Sequence, residues 1–379
     1  MKKLKKILII YTNSGAGHRR AAEALYQVVN DFFPQAQVQL FDALDYATPV
    51  FKKSYPQTYL FLVNYCPWLW GLVYYFLDIR FIDRISRIFR RVTNHRHCQK
   101  LEEHLIAEQP DLVLTTHFLP NEIISHMKKE GELQTFLVTC ITDYYPHAFW
   151  RNRGIDLYIT PNEALTMRLG KLGIAKDKIA PLGIPILPLF SEKNNQKDIR
   201  RQLGLNPEKF TILITSGGFG VGPIEQLVKE VNQIEQSLQI LVICGNNPKL
   251  QAELTECTKD THHQIKVFGF VGNMHELMDA SNIIITKSGG LTTTEAMAKQ
   301  LPLLVLYPIP GQESSNCEFI INHGAGMRAK NPKAARKFIS NLLQNPEKIK
   351  ELEKNLKKLG RPNAAKQIME LVKEKMSGK

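Results

Sequence analysis

Several features that define common protein classes are missing from this chain of 379 residues. Its six cysteines form no C-x-x-C pair, which argues against zinc ribbons and disulfide-stapled domains and favours reduced thiols in a cytosol. No low-complexity segment and no repeat of solenoid period is present, so neither disorder nor a repeat array is expected. The G-x-G-x-x-G fingerprint of dinucleotide-binding proteins and the P-loop sequence are also absent.

Acidic residues are fewer than basic ones, 36 against 49, and the formal net charge is +13. A protein with this charge is suited to bind nucleic acid, an anionic membrane or a phosphorylated small molecule. The sequence contains no groove-reading helix motif, RNP sequence or zinc knuckle. A nucleic-acid-binding protein therefore remains only as the non-enzymatic alternative.

Short β-branched runs alternate with helical patterns in both halves of the chain, which predicts parallel sheets in an α/β fold. A proline-rich and then polar stretch predicts a linker over residues 184–197, between a first domain at 1–183 and a second at 198–379. We expect two Rossmann-like domains facing across a cleft. Ligands of such sheets bind beyond the carboxyl ends of the strands.

The turn that follows the predicted strand Ile283–Thr286 has the composition of a pyrophosphate site. It combines glycines for close backbone approach, hydroxyl donors, a lysine and a helix N-terminus, and an acidic residue one turn later suits ribose hydroxyls. These residues are Lys287, Ser288, Gly289, Gly290, Thr292 and Glu295. The alternative is an ordinary strand-to-helix turn.

Two further turns of the second half are candidates for ligand binding. Gly217 and Gly218 lie in a glycine-rich turn that leaves room for a ligand. Gln312, Glu313 and Asn316 offer donors and acceptors suited to sugar hydroxyls, or else form a solvated helix start.

His18 follows a glycine turn, which includes Gly17, at the end of the first predicted strand. A helix N-terminus disfavours the imidazolium form, so a neutral His18 is expected, able to take a proton from an alcohol. Asp143 follows another strand and is predicted to orient His18 or hold the alcohol from which His18 takes a proton. His147 and Trp150 are predicted to shape the pocket for that alcohol, and Thr116 and His117 to line the same cleft.

Ser54–Leu77 contains no charged residue and is rich in aromatic residues, among them Trp68 and Trp70. Pro67, Gly71 and the scattered aromatic residues argue against a membrane span, and a buried helical pair is the alternative to an interfacial segment. The following segment places basic residues opposite apolar ones, which predicts an amphipathic helix contacting anionic lipid. The basic residues are Arg80, Arg84, Arg87 and Arg91.

Taken together, these motifs resemble the monogalactosyl- and processive glucosyl-diacylglycerol synthases, a glycosyltransferase family with the GT-B arrangement of two domains. The resemblance rests on Ser14–His18, Thr142–Trp150, Phe268–Val271, Lys287–Glu295 and Gly311–Asn316, in this order. It implies that His18 is the general base and that Asp143 supports acceptor binding. It also implies that Phe268–Val271 hold uracil and that Ser288–Gly290 and Thr292 meet the diphosphate. In the same way it implies that Glu295 meets the ribose and that Gln312 and Glu313 bind the sugar.

The resemblance further implies an inverting transfer from a UDP-sugar to the 3-hydroxyl of diacylglycerol. It implies no obligatory cofactor or metal, and the UDP-sugar itself counts as a substrate. We expect a peripheral protein at the cytoplasmic face of the membrane, with UDP-sugar, diacylglycerol and anionic lipids as partners. Glucose is favoured over galactose, and the number of sugars added is open. The enzymatic alternative is an N-acetylglucosamine transferase that acts on a polyprenyl-linked or other lipid acceptor.

Overall fold

The structure is a computed structural model that describes residues 4–145, 147–215, 217 and 223–378, without the side chain of Arg80. The chain forms two compact units. The first comprises the residues up to Pro188, the short segment Pro310–Gln312 and the C-terminal residues from Asn363. The second comprises Leu189–Ile309 and Glu313–Pro362.

A six-stranded parallel sheet lies at the centre of the first unit. Its strands are β1 (Lys6–Tyr11), β2 (Gln37–Asp42), β3 (Leu112–Thr115), β4 (Phe136–Cys140), β5 (Leu157–Ile159) and β6 (Ile179–Ala180). They are ordered β2-β1-β3-β4-β5-β6. The helices that follow these strands are α1 (Ala16–Phe32), α2 (Pro49–Tyr65), α3 (Pro67–Asp78), α4 (Arg80–Glu108), α5 (Phe118–Glu130) and α6 (Glu163–Lys171).

Strand β1 shows why the strands of this sheet consist of consecutive apolar residues. Ile7 and Ile9 pack into one buried cluster, whereas Leu8 and Ile10 pack into another. Successive side chains of a strand point to opposite faces, so both faces of the sheet are covered. An apolar residue is therefore required at every position from 7 to 10.

The C-terminal helix α15 (Ala364–Ser377) belongs to the first unit, where it packs against α1. Ile368, Met369 and Val372 of α15 are buried in one cluster with Leu25 of α1. The expected second domain of 198–379 is corrected here, because the apolar stripe of this last helix is covered by the first unit. The structure also divides the chain after Pro188, inside the predicted linker.

The second unit contains another six-stranded parallel sheet, ordered β12-β11-β10-β7-β8-β9. Its strands are β7 (Thr211–Thr215), β8 (Gln239–Ile243), β9 (Gln264–Phe268), β10 (Ile283–Thr286), β11 (Leu303–Leu306) and β12 (Gly326–Ala329). The helices are α7 (Gln196–Gln202), α8 (Ile224–Val231), α9 (Pro248–Cys257), α10 (Met274–Ala280), α11 (Gly290–Ala298), α12 (Gln312–Asn322), α13 (Pro332–Gln344) and α14 (Pro346–Leu359), and the unit division falls after the first residue of α12.

The predicted α/β class with two Rossmann-like domains is confirmed by these two parallel sheets. Each sheet has a point where the strand order reverses, between β1 and β3 in the first and between β7 and β10 in the second. Ligands of open α/β sheets bind outside the carboxyl ends of the strands at such points. The two reversal points are therefore the places where sites are expected.

Candidate active site

His18 lies at the reversal point of the first sheet, in the first turn of α1. Its Nδ1 is 2.8 Å from the carbonyl oxygen of Thr116, the residue that follows β3, and 3.1 Å from Oγ1 of Thr142. A carbonyl oxygen only accepts, so Nδ1 carries the proton and donates it. The Thr116 hydroxyl in turn donates to the His18 carbonyl at 2.8 Å. This arrangement leaves Nε2 of His18 unprotonated.

Burial lowers the pKa of His18 from 6.5 to about 4, and the hydrogen bond to Thr116 only partly offsets that effect. The His117 ring contacts the His18 ring edge-on, with centroids 4.6 Å apart. Burial, followed by the proximity of His18, holds the pKa of His117 well below its usual value. Both imidazoles are therefore neutral at pH 7, as predicted for His18.

The chain after β4 places Asp143 directly behind Thr142, with its side chain partly exposed. His18 Nδ1 is held by Thr116 and Thr142, and sequence reasoning did not assign that task to Thr142. The role of Asp143 in acceptor binding stays a prediction. A threonine two residues after a central strand was the available sequence signal for Thr142.

His147 and Trp150 occupy the same loop and are packed into it, so their predicted part in shaping an acceptor pocket stays a prediction that they can fulfil only by fixing the loop. His147 Nε2 donates to the Tyr74 carbonyl at 2.9 Å, and its Nδ1 accepts from the Phe149 amide at 3.3 Å. Trp150 is 2% exposed and belongs to the core of the first unit. Both side chains therefore fix the loop, because neither presents a free polar atom or an open face.

Ser288 and Asn316 fix the turn between β10 and α11 in the second unit. The Ser288 hydroxyl donates to the Glu313 carbonyl at 2.6 Å, and the Asn316 amide donates to the Ser288 carbonyl at 3.0 Å. Both side chains are fully buried. Their predicted side-chain contacts with a diphosphate and a sugar are thus corrected to a positioning role, since their donors are already used.

Lys287 lies at the reversal point of the second sheet, in the lining of an open depression. Thr215, Thr286 and Tyr307 line the same depression, which lies at the carboxyl ends of β7, β10 and β11. Burial lowers the pKa of Lys287, and the carboxylate of Glu313 only partly offsets this. A bound anion would favour the ammonium form, because an opposite charge nearby stabilises it.

The N-terminus of α11 adds to this site, because no described side chain caps it. The Thr293 hydroxyl, in its first turn, is buried and has no hydrogen-bond partner among the residues that the structure describes. A Cβ atom built on Gly289 would lie 3.9 Å from a carboxylate oxygen of Glu313. The Glu313 carboxylate also accepts from the Ile309 amide at 2.8 Å, so its placement is fixed.

The remaining candidates for donor binding lie at different places in the structure. Thr292 and Glu295 are in α11, Phe268 ends β9, and Phe270 is exposed just beyond it. The Gln312 amide donates to the Tyr59 hydroxyl at 2.8 Å, and both of these residues belong to the first unit. Val271 and Gly17 are half-buried, Gly217 is exposed, and Gly218 lies outside the described residues.

Tyr307 is a site residue that sequence reasoning missed. It lines the depression beside Lys287 and has a φ of +50°, a left-handed conformation that costs free energy in a residue other than glycine. Its only sequence signal was its position at the carboxyl end of a buried strand.

The segment of α2, α3 and the first half of α4 exposes a large set of apolar side chains, which we call the apolar patch. Trp68 and Phe89 are each 70% exposed. The other members are Phe61, Tyr65, Leu72, Tyr75, Phe76, Ile79, Phe81, Ile85, Ile88 and Val92. Trp70 is only partly exposed and contacts Tyr59 edge-on. The alternative of a buried helical pair is therefore wrong for most of these side chains.

The arginines of α4 differ from the prediction, because two of them face inward. The Asp83 side chain is fully buried and accepts hydrogen bonds from Arg87, Arg90 and Arg151. Arg90 also pairs with Glu122 of α5. The predicted basic face of this helix is thus partly turned into the protein, and its apolar face is turned outward.

Only part of the predicted basic face is left for lipid. Arg84 is exposed, and Arg91 is half-exposed and 3.5 Å from Glu130. The Arg80 side chain lies outside the described residues. No one described helix is long and apolar enough to cross a membrane, whereas α2 and α3 together meet that length and composition but are bent by 119° between them. Within residues 4–145, 147–215, 217 and 223–378, no three His, Cys, Asp or Glu side chains are grouped to hold a metal ion.

Two family models match the chain, one in each half of the sequence. The model described as monogalactosyldiacylglycerol (MGDG) synthase matches residues 18–186, and the glycosyltransferase family 28 C-terminal domain matches residues 211–370. A crystal structure of Acinetobacter baumannii MurG has a TM-score of 0.65 at 15% identity, covering 98% of this chain and 99% of that one. That likeness supports the GT-B fold.

Curated relatives match nearly the whole chain. Monogalactosyldiacylglycerol synthase 1 of Arabidopsis thaliana is 30% identical, over 98% of this chain and 72% of its own length. The processive diacylglycerol beta-glucosyltransferase of Bacillus pumilus is 29% identical, over 98% of this chain and 95% of its own length. The chain therefore belongs to the glycosyltransferase family of the monogalactosyldiacylglycerol synthases and processive diacylglycerol beta-glucosyltransferases.

Proposed function

We propose that this enzyme transfers a hexose from a UDP-sugar to the 3-hydroxyl of diacylglycerol, with inversion at the anomeric carbon. The observation that carries the proposal is the fixed tautomer of His18, which leaves Nε2 free as a base. The names of the relatives supply diacylglycerol as the acceptor and glucose or galactose as the sugar. Glucose is favoured over galactose in this proposal, from the resemblance to bacterial processive glucosyltransferases such as that of Bacillus pumilus.

In this reaction His18 Nε2 takes the proton of the lipid hydroxyl as its oxygen attacks the anomeric carbon. The bond from that carbon to the diphosphate breaks, and UDP leaves with the bonding electron pair. The other proton stays on Nδ1, hydrogen-bonded to Thr116 and Thr142, and these two acceptors stabilise the imidazolium as it forms. Asp143, on the same loop, is proposed to bind the acceptor.

The second unit supplies the donor site in this proposal. Lys287 and the uncapped N-terminus of α11 stabilise the charge that develops on the diphosphate. Phe268 ends β9, which lies three strands from β10 and hence roughly 14 Å from the strand that leads into Lys287. That spacing suits a uracil held by Phe268–Val271, with Glu295 near the ribose. No cofactor is required, since the leaving group is carried by the substrate.

The apolar patch is proposed to insert into the cytoplasmic face of a membrane, where diacylglycerol is available. Contiguous exposed apolar patches of this kind mark interaction sites. A bilayer fits as the occupant, because aromatic side chains such as Trp68 and Tyr75 prefer the interface between lipid and water. Since Arg87 and Arg90 pair with internal carboxylates, docking depends mainly on apolar contact. Arg84 and Arg91 remain available to anionic headgroups.

The test uses the full chain with diacylglycerol in mixed micelles and radiolabelled UDP-glucose or UDP-galactose, with products separated by thin-layer chromatography. Wild-type protein is expected to form a glycolipid, and His18→Ala is expected to lose turnover while still binding UDP in calorimetry. Lys249→Met, an exposed substitution, serves as the control. Failure with diacylglycerol but transfer to a polyprenyl-linked sugar would instead establish the second acceptor class.

A further inference from the structure

A second polar side chain lies beside His18 and has no part in the mechanism above. Ser14 is partly exposed in the turn between β1 and α1. Its Oγ is 3.1 Å from Nε2 of His117. His117 follows Thr116, the residue whose carbonyl fixes His18. Two adjacent residues therefore hold His18 and Ser14.

The direction of the hydrogen bond between His117 and Ser14 follows from the start of α5. His117 caps this helix, and its Nδ1 accepts from the Leu119 amide at 3.1 Å. A neutral imidazole carries one proton, so that proton is on Nε2. Since His117 is 2% exposed, it stays neutral, and its Nε2 donates to the Ser14 oxygen.

A serine hydroxyl has one proton and can accept up to two hydrogen bonds. With His117 donating to it, Ser14 keeps its own proton for another acceptor. Among the described residues no acceptor for that proton is found. The neighbourhood of His18 thus offers two complementary groups, an imidazole nitrogen that accepts a proton and a hydroxyl that donates a hydrogen bond.

We infer that Ser14 is a specificity-determining residue that donates its hydrogen bond to the ester carbonyl next to the attacking hydroxyl of the lipid. The inference rests on the proposed function, which places the lipid hydroxyl at His18. In diacylglycerol the nearest other polar group is the ester on the neighbouring carbon, and its carbonyl oxygen can only accept. An ether at that carbon lacks the carbonyl, so the enzyme discriminates between ester and ether lipids, and His117 acts as the positioning residue for Ser14.

The experiment measures kcat/KM for three acceptors in micelles: a 1,2-diacylglycerol, a 1-acyl-2-alkylglycerol and a 1,2-dialkylglycerol of equal chain length. Wild-type protein is expected to prefer the diacyl lipid roughly three- to tenfold over both 2-alkyl lipids, the ratio that one neutral hydrogen bond supplies. In Ser14→Ala, kcat/KM is expected to fall for the diacyl lipid alone, so that the preference is lost. Ser14→Thr, which keeps the hydroxyl, is expected to retain it.

His117→Asn separates positioning from helix capping, because asparagine still caps α5 but cannot supply the Nε2 donor. It is expected to lower the preference for the diacyl lipid in the same direction as Ser14→Ala. Ser237→Ala removes an exposed hydroxyl of the second unit and is the matched control. Melting temperatures of all variants identify any that fail to fold.

The outcomes separate this inference from the function on which it rests. Wild-type transfer to diacyl and dialkyl lipids with equal kcat/KM would overturn the role of Ser14 and leave the proposed function intact. A preference that persists in Ser14→Ala would overturn it as well. Absence of transfer to any of the three lipids would overturn the proposed function itself. The wild-type comparison needs no variant, so a misfolded Ser14→Ala does not remove the test.

Discussion

The pH dependence of turnover is the sharpest consequence of the His18 environment. The base must be unprotonated in the free enzyme, and kcat/KM reports the pKa of that state. Burial lowers the pKa of His18 to about 4, because the imidazolium loses hydration that its hydrogen bond to Thr116 does not replace. Since the pKa is lowered, the reactive neutral form persists to lower pH than for an exposed histidine.

The difference is large at pH 5.5. A histidine with its usual pKa of 6.5 is then only about 9% neutral, whereas one with a pKa of about 4 is ~97% neutral. We therefore expect kcat/KM to stay nearly constant from pH 8 to pH 5. It should fall tenfold per pH unit only below about pH 4. Folding stability changes with pH in the same direction as the rate. Because the pKa of His18 is lower in the folded than in the unfolded chain, the free energy of unfolding decreases as the pH falls from 6.5 towards 4.

The assay measures initial rates at limiting diacylglycerol in neutral detergent micelles, so that the lipid carries no titrating charge. Each low-pH sample is returned to pH 7 and assayed again, and circular dichroism is recorded at every pH, because acid unfolding also reduces the rate. A reversible loss of kcat/KM with a midpoint near pH 6.5, in protein that remains folded, would refute the reasoning.

Four further expectations follow from named contacts. Thr142→Val removes an acceptor beside His18 Nδ1 and should lower kcat several-fold with little change in KM, measured by steady-state kinetics. Lys287→Met should weaken UDP binding in calorimetry by about 10- to 100-fold, the effect of losing a charged hydrogen bond, whereas unchanged affinity would remove Lys287 from the donor site. Asp83→Asn should lower the free energy of unfolding in urea by about 3–5 kcal/mol, because it leaves three arginines without their buried carboxylate. Phe89→Asp should reduce the fraction of protein that floats with zwitterionic vesicles, at both 0.1 M and 1 M NaCl. The electrostatic screening length is about 10 Å at the lower and about 3 Å at the higher concentration. Loss of wild-type flotation at 1 M NaCl would contradict docking by apolar contact.

The placement of His18 and Lys287 could be predicted from sequence for a simple reason. Both follow buried strands, and the carboxyl ends of parallel strands lie along one edge of a sheet. Knowing that Ile7–Tyr11 and Ile283–Thr286 are strands was therefore enough to assign both residues to a binding edge. The tautomer of His18 was not accessible, since it depends on a carbonyl 98 residues away.

Other features depend on partners that local sequence does not identify. The periodicity of α15 shows that the helix has an apolar face, but an apolar face can be covered by either unit. Strand β6 has only two residues and is too short to produce a periodic signal. Ser288 and Asn316 have the composition of ligand-binding residues, yet they donate to main-chain carbonyls because the turn and α12 meet in space.

The orientation of α4 shows why periodicity alone could not decide between membrane contact and core packing. Its sequence separates arginines from apolar residues, and the usual solution places the apolar face inside. Here the interior contains Asp83 and Glu122, which are buried and need cations, so Arg87 and Arg90 turn inward. The same rotation leaves Phe89 and its neighbours exposed to solvent, an arrangement that water alone does not favour.

This arrangement also connects the apolar patch with the loop that carries Asp143. Arg151 ends that loop and donates to Asp83 of α4, and the Arg90 guanidinium lies 4.3 Å from the centre of the Phe149 ring. These contacts join α4 to residues a few positions after Thr142. If the apolar patch docks on a membrane as proposed, the ion pairs that expose it also hold the loop that carries Asp143, the residue proposed to bind the acceptor.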